Sequence, residues 1–139
     1  MNIEIRYLSK LGHTRDIANA MGEELNITPK SINEYPSIDN KIDILILGGA
    51  PYANVMDKEL REFAKKIKKE DVDIVVLFTT SNWSRRTVYS LRKILKDKGI
   101  EVYKDYFYAH MLNIKNRIPE AKKFVKRIVE EIKEKNKYE

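Results

Sequence analysis

Ser9, Gly12 and Thr14 fall in the segment Ser9-Lys10-Leu11-Gly12-His13-Thr14, between the apolar run Ile3-Glu4-Ile5-Arg6-Tyr7-Leu8 and an amphipathic stretch from Arg15 to Leu25. A loop of hydroxyls and a glycine at a helix N-terminus is a device for holding an anion, above all a phosphate. The first backbone N–H groups of a helix have no intrahelical partner, and the helix dipole adds about half a positive charge there. The hydroxyls of Ser9 and Thr14 supply further donors, and Gly12 permits a tight turn or a close backbone approach. A protonated His13 would add charge beside Thr14, so that anion affinity would weaken from pH 5 to pH 8. Lys10 is expected to be an exposed lysine within reach of the same loop. The same residues also describe an ordinary capped helix start, so the loop alone does not decide between the two.

The elements that position this loop are readable from the apolar pattern. It alternates between short unbroken runs and helical periodicity, the mark of alternating strands and helices. Strands are expected at Ile3 to Leu8, Ile42 to Leu47 and Val72 to Phe78, with a short one near Pro29 to Ile32 and a more polar one, suited to an edge, at Glu101 to Tyr108. The apolar runs suit strands covered on both faces, as in a parallel sheet. Helices are marked by Ile17, Ala18, Met21 and Leu25; by Leu60, Phe63, Ala64 and Ile67; by Val88, Leu91, Ile94 and Leu95; and by Phe124, Val125, Ile128, Val129 and Ile132. Asp57 is placed to cap the second helix, Pro119 suits the first turn of the fourth, and Gly99 sits where a helix-ending glycine belongs. The chain after Glu134 is expected to fray. The order describes a doubly wound three-layer α/β domain.

Composition sets the outer bounds. At 139 residues, with 42% hydrophobic and 35% charged side chains, the chain is expected to form a single globular domain over 1–139. No apolar run is long enough to span a bilayer, and Glu4 and Arg6 inside the first run argue against a leader peptide. The absence of cysteine removes disulfides, thiolate catalysis and cysteine metal sites, and a cytoplasmic location is expected. His110 has no metal-ligating partner at useful spacing, so no metal site is expected. The net charge of +6 is regional: residues 84–98 hold Arg85, Arg86, Arg92, Lys93, Lys96 and Lys98 against Asp97 alone. No nucleic-acid motif accompanies that stripe, so a solvated lysine-rich surface is expected rather than nucleic-acid binding.

In an open parallel sheet, ligands bind beyond the carboxyl ends of the strands where strand order reverses. That rule selects the Ser9–Thr14 loop, the stretch Gly48-Gly49-Ala50-Pro51-Tyr52-Ala53-Asn54-Val55 and the stretch Thr79-Thr80-Ser81-Asn82-Trp83-Ser84. One loop offers phosphate donors, and each of the others offers an aromatic beside small polar groups. Together they suit a phosphorylated, flat, partly apolar ligand.

Over nearly its whole length the chain resembles the short-chain flavodoxins. Ser9, Gly12 and Thr14 fall in register with that family's phosphate loop, Gly48 and Tyr52 with its second loop, and Glu59-Leu60-Arg61-Glu62-Phe63 with the helix that follows. VVLFTTSNW and LKDKGIEV are similar to its fourth strand and to the approach to its fifth. The resemblance implies a flavodoxin-like α/β/α sandwich with a five-stranded parallel sheet of order 2-1-3-4-5, and FMN bound without a covalent bond. It places the phosphate on Ser9, Lys10, Leu11, Gly12, His13 and Thr14, and the ring between Pro51, Tyr52, Ala53 and Asn54 on one side and Thr80, Ser81, Asn82 and Trp83 on the other. No residue is assigned a catalytic role.

The chain departs from the family's pattern at three positions. Leu11 stands where the loop usually has threonine, His13 where asparagine is frequent, and Asn54 where a glycine eases the backbone flip that accompanies protonation of flavin N5. Many flavodoxins are strongly acidic and this chain is basic. Arg85 and Arg86 would favour the reduced flavin and raise its potential. The resemblance implies an electron carrier, and the chain's own basic face beside the flavin would select a redox partner with an acidic surface. The alternatives are an FMN-dependent reductase or dehydrogenase acting on a quinone or other small substrate, and a binding module that has lost FMN. LGHTRDIA also resembles the phosphate loop of menaquinone-dependent protoporphyrinogen dehydrogenases, although the chain lacks their long insertion near the fifth strand. Oligomeric state is not legible.

Overall fold

The computed structural model describes residues 1–137. Five strands form one parallel sheet: β1 (Ile3–Tyr7), β2 (Lys30–Ser31), β3 (Ile42–Gly49), β6 (Val72–Ser81) and β7 (Glu101–His110), in the order β2-β1-β3-β6-β7. Two further strands, β4 (Pro51–Tyr52) and β5 (Val55–Met56), make a small antiparallel hairpin after β3. The order expected from the sequence is the order found, with the polar fifth strand at an edge. The chain leaves β1 outward to β2 and returns on the other side to β3, so the reversal of strand order lies between β1 and β3.

Alternation along the strands builds a core on each face, because successive side chains point to opposite sides. Ile44, Ile46, Val76 and Phe78 pack against α1 (His13–Leu25) and α4 (Ile114–Lys137). Leu45, Leu47, Val75 and Leu77 pack against α2 (Lys58–Lys66) and α3 (Arg86–Asp97). Arg6 is the charged exception inside β1 and is 3% exposed. Its guanidinium is satisfied by Glu4 and by the carbonyls of Tyr35 and Ser37, which it ties to the sheet.

Helix ends follow local chemistry. Asp57 caps α2 by accepting from the Glu59 N–H at 2.9 Å. Gly99, at φ 78°, ends α3 with a paired closure in which the Gly99 N–H reaches the Lys96 carbonyl and the Ile100 N–H reaches that of Leu95. Pro119 is a correction: it lies inside α4 instead of in its first turn, because the helix begins a turn earlier, at Ile114. It leaves the carbonyl of Lys115, an exposed residue, without its helical donor. Helix α4 also runs on to Lys137 where fraying after Glu134 was expected; the rest of that expected tail, residues 138 and 139, lies outside the described residues.

Candidate functional site

The loop after β1 is shaped by Gly12 and Ser9. Gly12 is left-handed at φ 94°, and its carbonyl accepts the Asp16 N–H at 3.0 Å to open α1. Ser9 Oγ accepts the Gly12 N–H at 3.1 Å, which leaves the hydroxyl proton of Ser9 for another acceptor. No side chain caps α1, so its first-turn N–H groups face outward from the sheet edge without a capping oxygen. Thr14, 2% exposed, meets Thr80, 1% exposed, through a hydroxyl pair at 2.8 Å. Whichever hydroxyl accepts retains its own proton, so the pair has one donor to spare.

The second loop is a hairpin tip. Ala53 and Asn54 are its two central residues, at φ 51° and 59° between the paired residues Tyr52 and Val55. Two positive φ values in a two-residue hairpin are the type I′ pattern, which suits Asn and strains Ala. Tyr52 Oη accepts the Lys10 N–H at 3.3 Å and so joins the hairpin to the first loop. The Lys10 ammonium lies 5.0 Å from the Tyr52 ring centre and 2.6 Å from Asp57 Oδ2. The hydrogen bond and the charge of Asp57 hold Lys10 above the usual lysine range. Lys10 is thus committed to Asp57 and does not enter the space beside Thr14.

The third loop is the most constrained. Trp83 has φ 73°, rare for a bulky side chain, and the residue is 72% exposed. Its N–H donates to Tyr108 Oη at 2.8 Å, the Tyr108 hydroxyl donates to the Ser81 carbonyl at 3.0 Å, and Arg85 Nη1 donates to the Trp83 carbonyl at 2.8 Å. Ser84 Oγ donates to Asn54 Oδ1 at 2.6 Å and accepts the Arg86 N–H at 3.1 Å, linking hairpin and loop. His110 Nδ1 accepts the Leu112 N–H at 3.1 Å, which puts the ring proton on Nε2, 2.9 Å from Asn82 Oδ1.

Between these loops lies a cleft of about 390 Å³, within the size range of small-molecule sites. Of the residues proposed from sequence, Ser9, Leu11, His13, Thr14, Pro51, Tyr52, Ala53, Asn54, Thr80, Ser81 and Asn82 line it. Lys10, Gly12 and Trp83 do not: Lys10 turns to Asp57, Gly12 shapes the loop through its backbone, and Trp83 packs edge-on against His110 at 4.7 Å. Ala50, Ser84 and Met111 complete the lining. Met111 carries a readable signal only once β7 is known to lie beside β6, since the residue after β7 must then reach the same edge. Its N–H donates to the Ser81 carbonyl at 2.9 Å.

A larger cavity, of about 690 Å³, lies at the opposite edge of the sheet and includes Asp43, Asp73, Glu101 and Glu131 in its walls. Asp73 is paired there with Lys41 at 2.8 Å and Glu131 with Arg127 at 3.2 Å. Those two carboxylates are already answered, and the starts of α1 and α2 lie at the other edge of the sheet, so the smaller cleft is the better candidate.

No protein-family model matches the sequence, and no curated protein is significantly similar to it. Solved structures do match. A flavodoxin from the domain Archaea is 18% identical, with 96% of this chain and 99% of that one covered and a TM-score of 0.75. Oxidised Flavodoxin 2 from Bacillus cereus is 16% identical over 94% of this chain and 99% of its own, at a TM-score of 0.74. Fusobacterium nucleatum flavodoxin bound to flavin mononucleotide is 18% identical over 94% and 98%, at 0.73. Helices on both faces of a parallel sheet, the order β2-β1-β3-β6-β7 and agreement over almost the full length of these proteins lead to one conclusion: the chain has the flavodoxin-like fold.

Proposed function

We propose that the protein is a cytoplasmic FMN-binding electron carrier of the flavodoxin type. The observation that carries this reading is the meeting of an uncapped helix start with the buried Thr14–Thr80 pair at one end of a cleft whose other walls are an aromatic hairpin and a polar loop. The donor set suits the group. Ser9, the Thr14–Thr80 pair and the first N–H groups of α1 each have hydrogen to give, which is what a phosphate needs, and among the described residues no carboxylate lines the cleft to repel it.

On this reading Ser9, Thr14 and the start of α1 hold the phosphate, with Leu11 contributing apolar contact where a hydroxyl would have donated. Tyr52 and the Ala53–Asn54 tip cover one side of the ring, and Ser81 and Asn82 face its polar edge. His110 fixes Asn82 by holding its side-chain oxygen, which leaves the amide N–H groups for a ligand acceptor. Bound FMN supplies the one- and two-electron chemistry, and the chain supplies binding, orientation and charge. Arg85 and Arg86, next to the third loop, favour added negative charge in the cleft. Electrons pass to and from a partner protein, and no helix among the described residues is long and apolar enough to cross a membrane.

Reconstitution with FMN tests the reading. A yellow protein that releases FMN on heating and shows a reversible redox titration is expected, with the potential falling when Arg85 and Arg86 are both changed to Gln. A colourless protein that takes up no added FMN overturns it.

A further inference from the structure

Beside the cleft, and sharing Asn54 and Ser84 with it, lies an open groove of about 450 Å³ whose other walls include Arg85, Arg86, Tyr89 and Lys93 and, among the described residues, no acidic side chain. Arg85 is set in place: its guanidinium lies 3.3 Å from the centre of the Tyr108 ring while Nη1 donates to the Trp83 carbonyl. Arg86 is exposed and has no ion pair among the described residues. Lys93 has only an exposed contact with Asp97, at 3.2 Å, which water screens. Trp83, Tyr89, Val55 and Leu112 stand exposed around the same edge, with Leu112 86% accessible.

Exposed Trp and Tyr beside fixed Arg is the composition of the energetic centre of a protein interface, and charge of a single sign selects the partner. A second copy docked about a two-fold axis would set these cations against one another, so a copy of this chain is a poor occupant. A nucleic acid would answer the charge and stack on Trp83 and Tyr89, but it would leave the aliphatic Val55 and Leu112 in water, which an apolar protein centre covers along with the aromatics. We propose that this face docks a protein partner whose contact surface is a small apolar centre rimmed by carboxylates, with Trp83 and Tyr89 as apolar anchors and Arg85, Arg86 and Lys93 as the charged rim. The assignment rests on the carrier reading for what passes between the two proteins. The contact itself requires no flavin.

Titration calorimetry on the full chain, flavin-free and FMN-loaded, tests it with a small acidic iron–sulfur carrier protein as probe. Binding is expected in both forms at low salt and to weaken about tenfold or more toward 0.3 M NaCl. The triple change Arg85→Gln, Arg86→Gln, Lys93→Gln should weaken binding at low salt about tenfold and flatten its salt dependence, with affinity for FMN measured alongside. Removing the same charge from exposed positions on α4, with Lys123→Gln, Lys126→Gln and Lys133→Gln, should leave binding within about twofold. Trp83→Gly keeps the left-handed backbone and should weaken binding about tenfold with the salt slope intact. Absence of binding by the flavin-free protein at low salt, an equal loss from the α4 triple, or tighter binding of a single-stranded DNA oligonucleotide than of the acidic protein overturns the assignment. Failure to load FMN counts against the carrier reading alone, because the flavin-free arm still reads the contact.

Discussion

Helices α1 and α2 both start at the carboxyl edge of the sheet, and their first turns are finished in opposite ways. At α2, Asp57 closes the start: one carboxylate oxygen accepts the Glu59 N–H, the other holds Lys10 at 2.6 Å, and the residue is 8% exposed. At α1, Gly12 occupies the cap position, no side chain caps the helix, and the nearest buried polar groups are two threonine hydroxyls with a proton left over. A helix start satisfied by its own chain stabilises the fold, and one left open is a place where an outside acceptor gains hydrogen bonds. The same chain therefore builds a closed start and an open one side by side, and Lys10 shows how the two are kept apart, since its charge goes to Asp57 and not to the open start.

The largest expected effect tests the open start. Thr14→Val preserves shape but removes one member of the buried pair, leaving the Thr80 hydroxyl without its partner. FMN affinity, read from flavin fluorescence, should fall at least about tenfold, and urea unfolding should show a loss of about 1–3 kcal/mol. A loss of stability with unchanged FMN affinity would make α1 a structural start like α2 and collapse the comparison.

Asp57→Ala tests the closed start. Removing the cap should cost about 1–2 kcal/mol in the same unfolding measurement, while FMN affinity stays within about threefold. The alkaline side of the stability curve carries a second signature. Lys10 is raised above its usual value by Asp57, so its contribution is complete below the ordinary lysine pKa of about 10.4 and is lost as pH rises through the folded value. That alkaline decline should shrink in Asp57→Ala. Loss of FMN binding in this variant would show instead that the two starts act as one site.

Much of this contrast was legible before the fold was known, and the parts that were not share a physical cause. Unbroken runs such as IDILIL and VDIVVLF announce strands buried on both faces, and Asp57 and Gly99 announce helix ends, because in each case one residue type meets one local demand. Trp83 was different. An aromatic in a loop among small polar residues fits a ring-stacking role, but where its ring points depends on one backbone angle, φ 73°, held by Tyr108 and Arg85 from elsewhere in the fold. Met111 was hidden because the polar run EVYKDYFY gives no sign that its strand continues to His110. The Ala53–Asn54 hairpin tip was half legible: Asn54 tolerates positive φ, whereas nothing about an alanine suggests that it will adopt one.

The smallest expected effect falls on that alanine and sharpens what the open start needs from its opposite wall. Ala53 at φ 51° carries the steric cost of a side chain in left-handed backbone, about 1 kcal/mol, in a hairpin tip that the Ser84–Asn54 hydrogen bond keeps in place. Ala53→Gly relieves that cost but adds freedom to the unfolded chain, so a net gain of about 0.5 kcal/mol is expected in urea unfolding. FMN affinity reads the other half of the question. Strain kept for function should leave the glycine variant more stable but weaker in FMN binding, because a looser tip no longer holds Tyr52 and Asn54 against the cleft. Strain that is merely tolerated should leave FMN affinity unchanged while stability rises, and the cleft's selectivity would then rest on the α1 side alone.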